Sequence, residues 1–359
     1  MSSDGTSSEA RARWRRRWVI AAAVVAVIAA AVAGAGAFIW YAPAPMLRAP
    51  VKVVVEPGDS MRIVADKLAR AGVVRSAMAL RLYGSMSGDA RRIKPGDYSF
   101  LGGEWMADVM GHLVRGDIVV VTVTIPEGLT LRQIAERLEA AGLGCADEFE
   151  REAREGPLVE ALGLGPLGAE GYLFPATYRF SPRANSAEIL AAMLGRFYRT
   201  LTPPVEERMF ELGLTNRELV TLASIIEREA KAAGDRALIA GVFYNRLALG
   251  MPLQADPTAE YALDGNQKLS TADAVRIPTA FNTYAFTGLP PGPIANPGMQ
   301  SIEAALYPAK TRYLYFVARD DGTHLFSRTF AEHQRAIAEL KRVAARAAPR
   351  KAADSKRTE

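Results

Sequence analysis

The sequence predicts an α+β protein: an N-terminal transmembrane helix, a small α+β module, then a mainly helical domain with a short β-hairpin. Three observations predict it. Residues 19–39 carry no charge, and a strand–turn–helix pattern occurs twice at a spacing of 70 residues. From residue 186 onward the apolar spacing is mostly helical, with capping signals at helix starts.

The uncharged run "VIAAAVVAVIAAAVAGAGAFI" reaches about 30 Å as a helix at about 1.5 Å per residue, enough to cross a bilayer core. Trp18, Trp40 and Tyr41 bracket it as interfacial anchors, and Arg11, Arg13, Arg15, Arg16 and Arg17 precede it. That asymmetry predicts a single-pass inner-membrane protein with residues 1–18 as a cytoplasmic basic tail, 19–41 as anchor and the remainder extracytoplasmic. A cleaved signal peptide is the alternative, with "AGAGA" (33–37) offering a cleavage point; the length of the run favours an uncleaved anchor.

The net charge of +5 is concentrated in two tails. The first 18 residues set five arginines against Asp4 and Glu9, and residues 341–359 set seven Lys/Arg against Asp354 and Glu359. Together these exceed the total, so residues 19–340 are acidic on balance and give no electrostatic case for binding nucleic acid. The lone Cys145 excludes an internal disulfide, leaving core burial as the source of stability. His112, His324 and His333 are too widely spaced for a zinc motif, so neither metal nor other cofactor is expected.

After a stiff proline-rich linker, "APAPMLRAP" (42–50), comes "VKVVVEPGDSMRIVADKLARAGVV". It reads as an alternating strand, a Pro-Gly turn, and a helix with Ser60 as N-cap. "VTVTIPEGLTLRQIAERLEAAGLG" repeats it: Gly58 aligns with Gly128, Ser60 with Thr130, Leu68 with Leu138 and Gly72 with Gly142. The two copies predict a duplicated module over 51–145, its second copy pairing with the intervening "KPGDYSF". Such modules resemble LysM domains, which bind N-acetylglucosamine chains; a spacer without a ligand is the equally weighted alternative.

The rest, 146–345, is predicted to be one mainly helical domain, followed by a disordered basic tail at 346–359. Residues 147–169 read as Gly-interrupted helix leading to "EGYLFPATYRF". Thr215 with Glu218 forms a capping box for the helix that carries "LASIIEREA" (222–230), and Asp235 is expected to cap the next helix, which Gly250 ends. Prolines 278, 290, 291, 293 and 297 forbid long regular elements there, and a long irregular stretch threaded with apolar residues points to function. "YLYFVA" and "THLFS" flank "RDDG" as a hairpin, and Thr329 with Glu332 caps a closing helix.

Projected at about 100° per residue, Leu219, Leu222, Ala223, Ile226 and Ala230 form the buried stripe of residues 216–232. Glu229 lies about 50° from its centre and Glu227 about 110° away, with Arg228 outward. Desolvation of Glu229 predicts a raised pKa and fitness as a general acid. The plainer alternative leaves both glutamates at the helix surface, paired with Arg228 and Lys231.

The ordered motifs "LASIIEREA", "VFYNRL", "MPLQADPT", "NTY", "GLPPGPIANPG", "AALYPAK", "YLYFVA" and "HLFS" resemble the membrane-anchored endolytic murein transglycosylases, the MltG or YceG-like family. The resemblance implies a mainly helical catalytic domain whose catalytic acid is the second Glu of the E-x-E pair, here Glu229. It implies cleavage of the MurNAc–GlcNAc β-1,4 bond of nascent glycan strands without water. Glu229 protonates the glycosidic oxygen, the C6 hydroxyl of the same muramic acid attacks its C1, and Glu229 takes up that hydroxyl's proton. The product is a 1,6-anhydro-MurNAc end. Peptidoglycan strands are the expected substrate and peptidoglycan synthases the expected partners.

Gln254, Asp256, Asn282 and Tyr284 supply the amides, carboxylate and aromatic face that a sugar groove uses. Asp256 before Pro257 also suits a turn, Asn282 a loop cap, and Asn245 with Arg246 a structural role; Tyr261 is an outside candidate. The chain departs from the family pattern with Ala176 in "FPATY", where Asp is usual, and with Ala255 and Ala259 in place of the common Thr and Val. A non-catalytic, membrane-anchored peptidoglycan-binding tether is the alternative function. A protease or hydrolase is disfavoured by the lack of a Ser/His or metal constellation.

Overall fold

The computed structural model describes residues 43–263 and 275–355, the segment 18–31, and positions 14, 34 and 273. Among the described residues, helices mix with three two-stranded antiparallel sheets. The predicted class fails at its first element, because no described helix is long and apolar enough to cross a membrane. The helical run 18–31 would reach only about 21 Å at about 1.5 Å per residue, short of a bilayer core of about 30 Å. The predicted single-pass inner-membrane location falls with it; the remainder of the expected anchor lies outside the described residues.

The chain divides into two compact units, Met1–Val120 and Val121–Glu359. In the first, β1 (Met46–Val55) leads through a turn at Gly58, whose φ of 91° suits glycine, into α1 (Met61–Arg70). Ser60 caps α1, accepting from the Ile63 amide at 3.4 Å. After α2 (Ala77–Ser87), β2 (Gly96–Gly102) pairs with β1, and α3 (Met106–Arg115) follows. Val53, Leu68, Tyr98, Phe100 and Leu113 close the core of this unit. Thus "GDYSF" pairs with the first copy of the repeat rather than the second. Val53 and Val55 on β1 and Tyr98 and Phe100 on β2 bring their apolar faces to the same core.

The second copy opens the larger unit. Here β3 (Val121–Ile125) pairs with β4 (Ala176–Phe180), which lies in "FPATYRF". Between them run α4 (Leu131–Ala140), α5 (Ala146–Glu155) and α6 (Pro157–Ala161). Thr130 and Gln133 form a capping box on α4. Then come α7 (Ser186–Tyr198), α8 (Pro203–Leu212), α9 (Asn216–Glu229), α10 (Arg236–Ala248), α11 (Asp256–Tyr261) and α12 (Met299–Leu306). β5 (Tyr315–Ala318) and β6 (His324–Ser327) make the hairpin, and α13 (Phe330–Ser355) continues beyond residue 346, where the sequence reading begins a disordered tail.

α9 is the axis of this unit. All eight residues from Leu219 to Ile226 are buried, so the helix is enclosed around its circumference rather than along one stripe. Each large aliphatic side chain buried this way contributes about 1.5–3 kcal/mol. The proline-rich loop is part of that enclosure: residues 292–298 are buried. Its backbone polar groups therefore need partners. Ile294 N donates to Ser224 Oγ at 3.0 Å and Gly298 N to Glu227 Oε2 at 3.0 Å. Asn296 accepts from Leu173 N at 2.8 Å and donates to Leu129 O at 2.9 Å. This part of the irregular segment is a packed seam that steadies α9.

Candidate active site

Glu229 is the last residue of α9, and the chain leaves the helix at Ala230, whose φ and ψ of −78° and 111° are extended. A helix C-terminus carries partial negative charge, an unfavourable place for a carboxylate. Glu229 is half-buried, opening onto a cleft of about 520 Å³ lined also by Arg246, Gln254, Asp256, Tyr284 and Tyr315. Burial pushes its carboxyl up to about 8; the nearby Asp256 and Glu260 carboxylates add to the rise, and Arg246 and Lys231 oppose it. At neutral pH this group holds its proton and can donate it.

The loops around Glu229 are zipped together. Gln254 N donates to Thr283 O at 3.0 Å and Ala255 N to Thr283 Oγ1 at 3.0 Å. Thr258 and Thr283 hydroxyls meet at 2.9 Å, and Tyr284 OH donates to Asp256 Oδ1 at 2.5 Å. These bonds draw "LQADPT" and "FNTY" to one side of the cleft. Ala255 and Ala259 are fully enclosed there, so small side chains suit the packing. Gln254 has a φ of 53°, the one positive-φ residue other than glycine among those described. Such strain persists only where neighbours hold it, and here the Gln254 Oε1 accepts from Arg246 Nη1 at 3.1 Å.

Arg246 is the hub. It is buried, and its guanidinium donates to Leu314 O at 2.6 Å, Leu253 O at 2.8 Å and Pro252 O at 3.1 Å. The same group sits 5.0 Å from the Tyr315 ring centre. Lysine cannot reproduce that planar fork of donors. Across the cleft, His324 Nδ1 lies 2.9 Å from Asp235 Oδ2, which also accepts from the His324 amide at 2.8 Å. Asp235 stands at the N-cap of α10 without capping it; its carboxylate is committed to the hairpin instead.

Of the residues singled out from sequence, Glu229, Gln254, Asp256 and Tyr284 share this cleft. Asn282 does not line it. It is fully enclosed, donating to Ile277 O at 2.8 Å and accepting from Tyr284 N at 3.0 Å, so it shapes the loop from behind. Tyr261 lies elsewhere, its hydroxyl donating to Glu170 at 3.2 Å. The Glu227 side chain is 7% exposed, bound by Arg236 at 3.2 Å and by the Gly298 amide, and so braces the loop.

Read from sequence, Arg246 has only a structural role, and no spacing places Tyr315, His324 or His333 in the site. They come from the hairpin and α13, which no helical period connects to α9. A Tyr-rich strand beside "HLFS" was the available signal. Among the described residues no cluster of His, Cys, Asp or Glu is arranged to hold a metal.

Fold and site together define a class of proteins mixing helices with small antiparallel sheets, in which a buried helix ends on one half-buried acid above a polar cleft. The model of the YceG-like family matches residues 53–339, and this chain belongs to that family. It is similar to a protein of Bacillus subtilis (strain 168) named endolytic murein transglycosylase, 33% identical over 310 residues, covering 80% of this chain and 84% of the relative. A Streptococcus pneumoniae protein of the same name (serotype 2, strain D39) is 32% identical over 321 residues, covering 80% of this chain; that alignment covers 58% of the relative's length. The crystal structure of a YceG-like protein from Listeria monocytogenes matches with a TM-score of 0.56 and 31% identity, covering 80% of this chain and 98% of that one.

Proposed function

We propose that this chain is an endolytic murein transglycosylase with Glu229 as its single catalytic acid and base. The observation that carries the reading is the half-buried Glu229 carboxyl at the end of α9, opening onto a cleft with an amide, a carboxylate and tyrosine faces; burial pushes its pKa up to about 8. A hydrolase needs a second carboxylate to activate water or to attack the sugar; the cleft's other carboxylate, Asp256, accepts from the Tyr284 hydroxyl at 2.5 Å and is assigned here to holding sugar. A transglycosylase needs only one group that gives a proton and takes one back. Glu229 protonates the oxygen of the MurNAc–GlcNAc bond, and that bond breaks as the C6 hydroxyl of the same MurNAc closes onto C1. The hydroxyl proton passes to Glu229, restoring the acid and leaving a 1,6-anhydro-MurNAc end.

Gln254, Asp256 and Tyr284 hold the sugars in this reading, and Arg246 positions Gln254 and favours the charged form of Glu229 between the two proton transfers. Peptidoglycan synthases as partners, and a LysM-like glycan-binding role for the unit containing β1 and α1, belong to this reading on the strength of sequence resemblance. No observation favours the non-catalytic tether.

Digestion of purified murein in heavy-oxygen water tests the reaction type. The expected products are anhydro ends without label. Reducing ends that carry the heavy oxygen would assign the chain to hydrolysis instead.

A further inference from the structure

A second cleft, about 730 Å³ and larger than the one at Glu229, is set against α10 on the same unit. Its charged lining is entirely cationic: Lys310, Arg312 and Arg328, all exposed. Residues 19–340 are acidic on balance, so three cations without a lining carboxylate run against the background of the fold. Among the described ion pairs none involves these three side chains; Glu332 accepts from the Arg328 and Thr329 amides and feels the Arg328 charge without pairing with it.

The wall is built rather than incidental. Asn245 Nδ2 donates to Thr311 O at 3.1 Å and Tyr313 O at 2.9 Å, fixing the segment that carries Lys310 and Arg312. Ala309 N donates to Ala237 O at 2.9 Å. A Cβ on Gly241 would stand 2.4 Å from Ala309 O, so glycine is what lets this segment lie against the helix. The basic cleft and the Glu229 cleft are neighbours along two elements. Asn245 serves the first and Arg246 the second; Tyr313 lines the first and Tyr315 the second. Two residues of chain span at most about 7 Å.

We propose that the basic cleft binds the carboxylates of the peptide stems on murein. This rests on the proposed function, since it assigns the substrate's charged part to a surface beside the acid. Muramic acid carries its peptide on the sugar that Glu229 acts on, and murein's peptide charges are predominantly carboxylate. Exposed cations in the cleft next to the acid's select peptide-bearing strands over bare glycan.

The test uses calorimetry with two soluble probes, a disaccharide carrying its tetrapeptide and the same disaccharide without peptide, and the full chain with and without Lys310→Gln, Arg312→Gln and Arg328→Gln together. The neutralised variant is expected to bind the peptide-bearing probe about tenfold more weakly, the sum of three exposed ion contacts, and the bare probe unchanged. Cleavage kinetics should show the same split, KM rising on peptide-bearing strands with kcat held. Equal affinity of variant and wild type for the peptide-bearing probe overturns the proposal. So does equal loss on both probes, which marks a structural effect, or displacement by inorganic phosphate at lower concentration than the peptide requires. Calorimetry needs no turnover, so absence of anhydro products would count against the proposed reaction while this binding result stands by itself.

Discussion

The Tyr284 hydroxyl donates to the Asp256 carboxylate at 2.5 Å, and Asp256 in turn raises the proton affinity of Glu229. Asp256, held by Tyr284, thus bears on the acid through its charge. Removing the charge isolates that influence. Asp256→Asn is expected to move the alkaline limb of the pH–rate profile to lower pH by about one unit, since a like charge beside a carboxyl disfavours its ionised form. An unmoved limb would show that Asp256 acts only through sugar contacts.

For the unmodified chain the alkaline limb should centre near pH 8, because the donor must be protonated at the start of the reaction. A limb near the ordinary carboxylate value of 4.5 would mean that burial does not hold the proton.

The same raised value has a consequence for stability. Between the ordinary 4.5 and about 8, the unfolded chain releases this proton while the folded chain retains it, so stability falls as pH rises through that window. Below 4.5 the contribution of the protonated group is fully present. Glu229→Gln removes the dependence. The variant should gain about 1–3 kcal/mol over wild type between pH 5 and pH 8, read from denaturant midpoints at each pH.

Gln254 sits in the left-handed region at φ 53° while accepting from Arg246 at 3.1 Å. Gln254→Gly and Gln254→Ala both lose the acceptor, but only alanine keeps the strain. The glycine variant should be more stable than the alanine one by about 1 kcal/mol in thermal melts, with both impaired in KM.

What the sequence made legible was local. The capping box Thr215–Glu218, the hairpin at "RDDG" and the position of Glu229 beside Leu222 and Ile225 all follow from spacings within one element. Asn282 misled because an amide in a loop reads alike whether it faces a groove or, as here, is enclosed behind it. Arg246 was underweighted because its partners, Leu253, Gln254 and Leu314, are gathered by tertiary packing that no period reveals. The uncharged N-terminal run shows the limit of counting residues: length and apolarity predicted a membrane helix, whereas no described helix meets both requirements. The irregular proline-rich stretch reads as functional from its length and apolar residues, whereas at 292–298 it packs against and braces α9.

The most direct measurement is the rate at which the full chain and Glu229→Gln release anhydro-muropeptides from purified murein, quantified by mass spectrometry. Glutamine preserves the shape of the side chain and has no proton of comparable acidity. The rate is expected to fall about a thousandfold, within the span that loss of a general acid produces. Release from the glutamine variant at the wild-type rate would contradict the assignment of Glu229 as the proton donor.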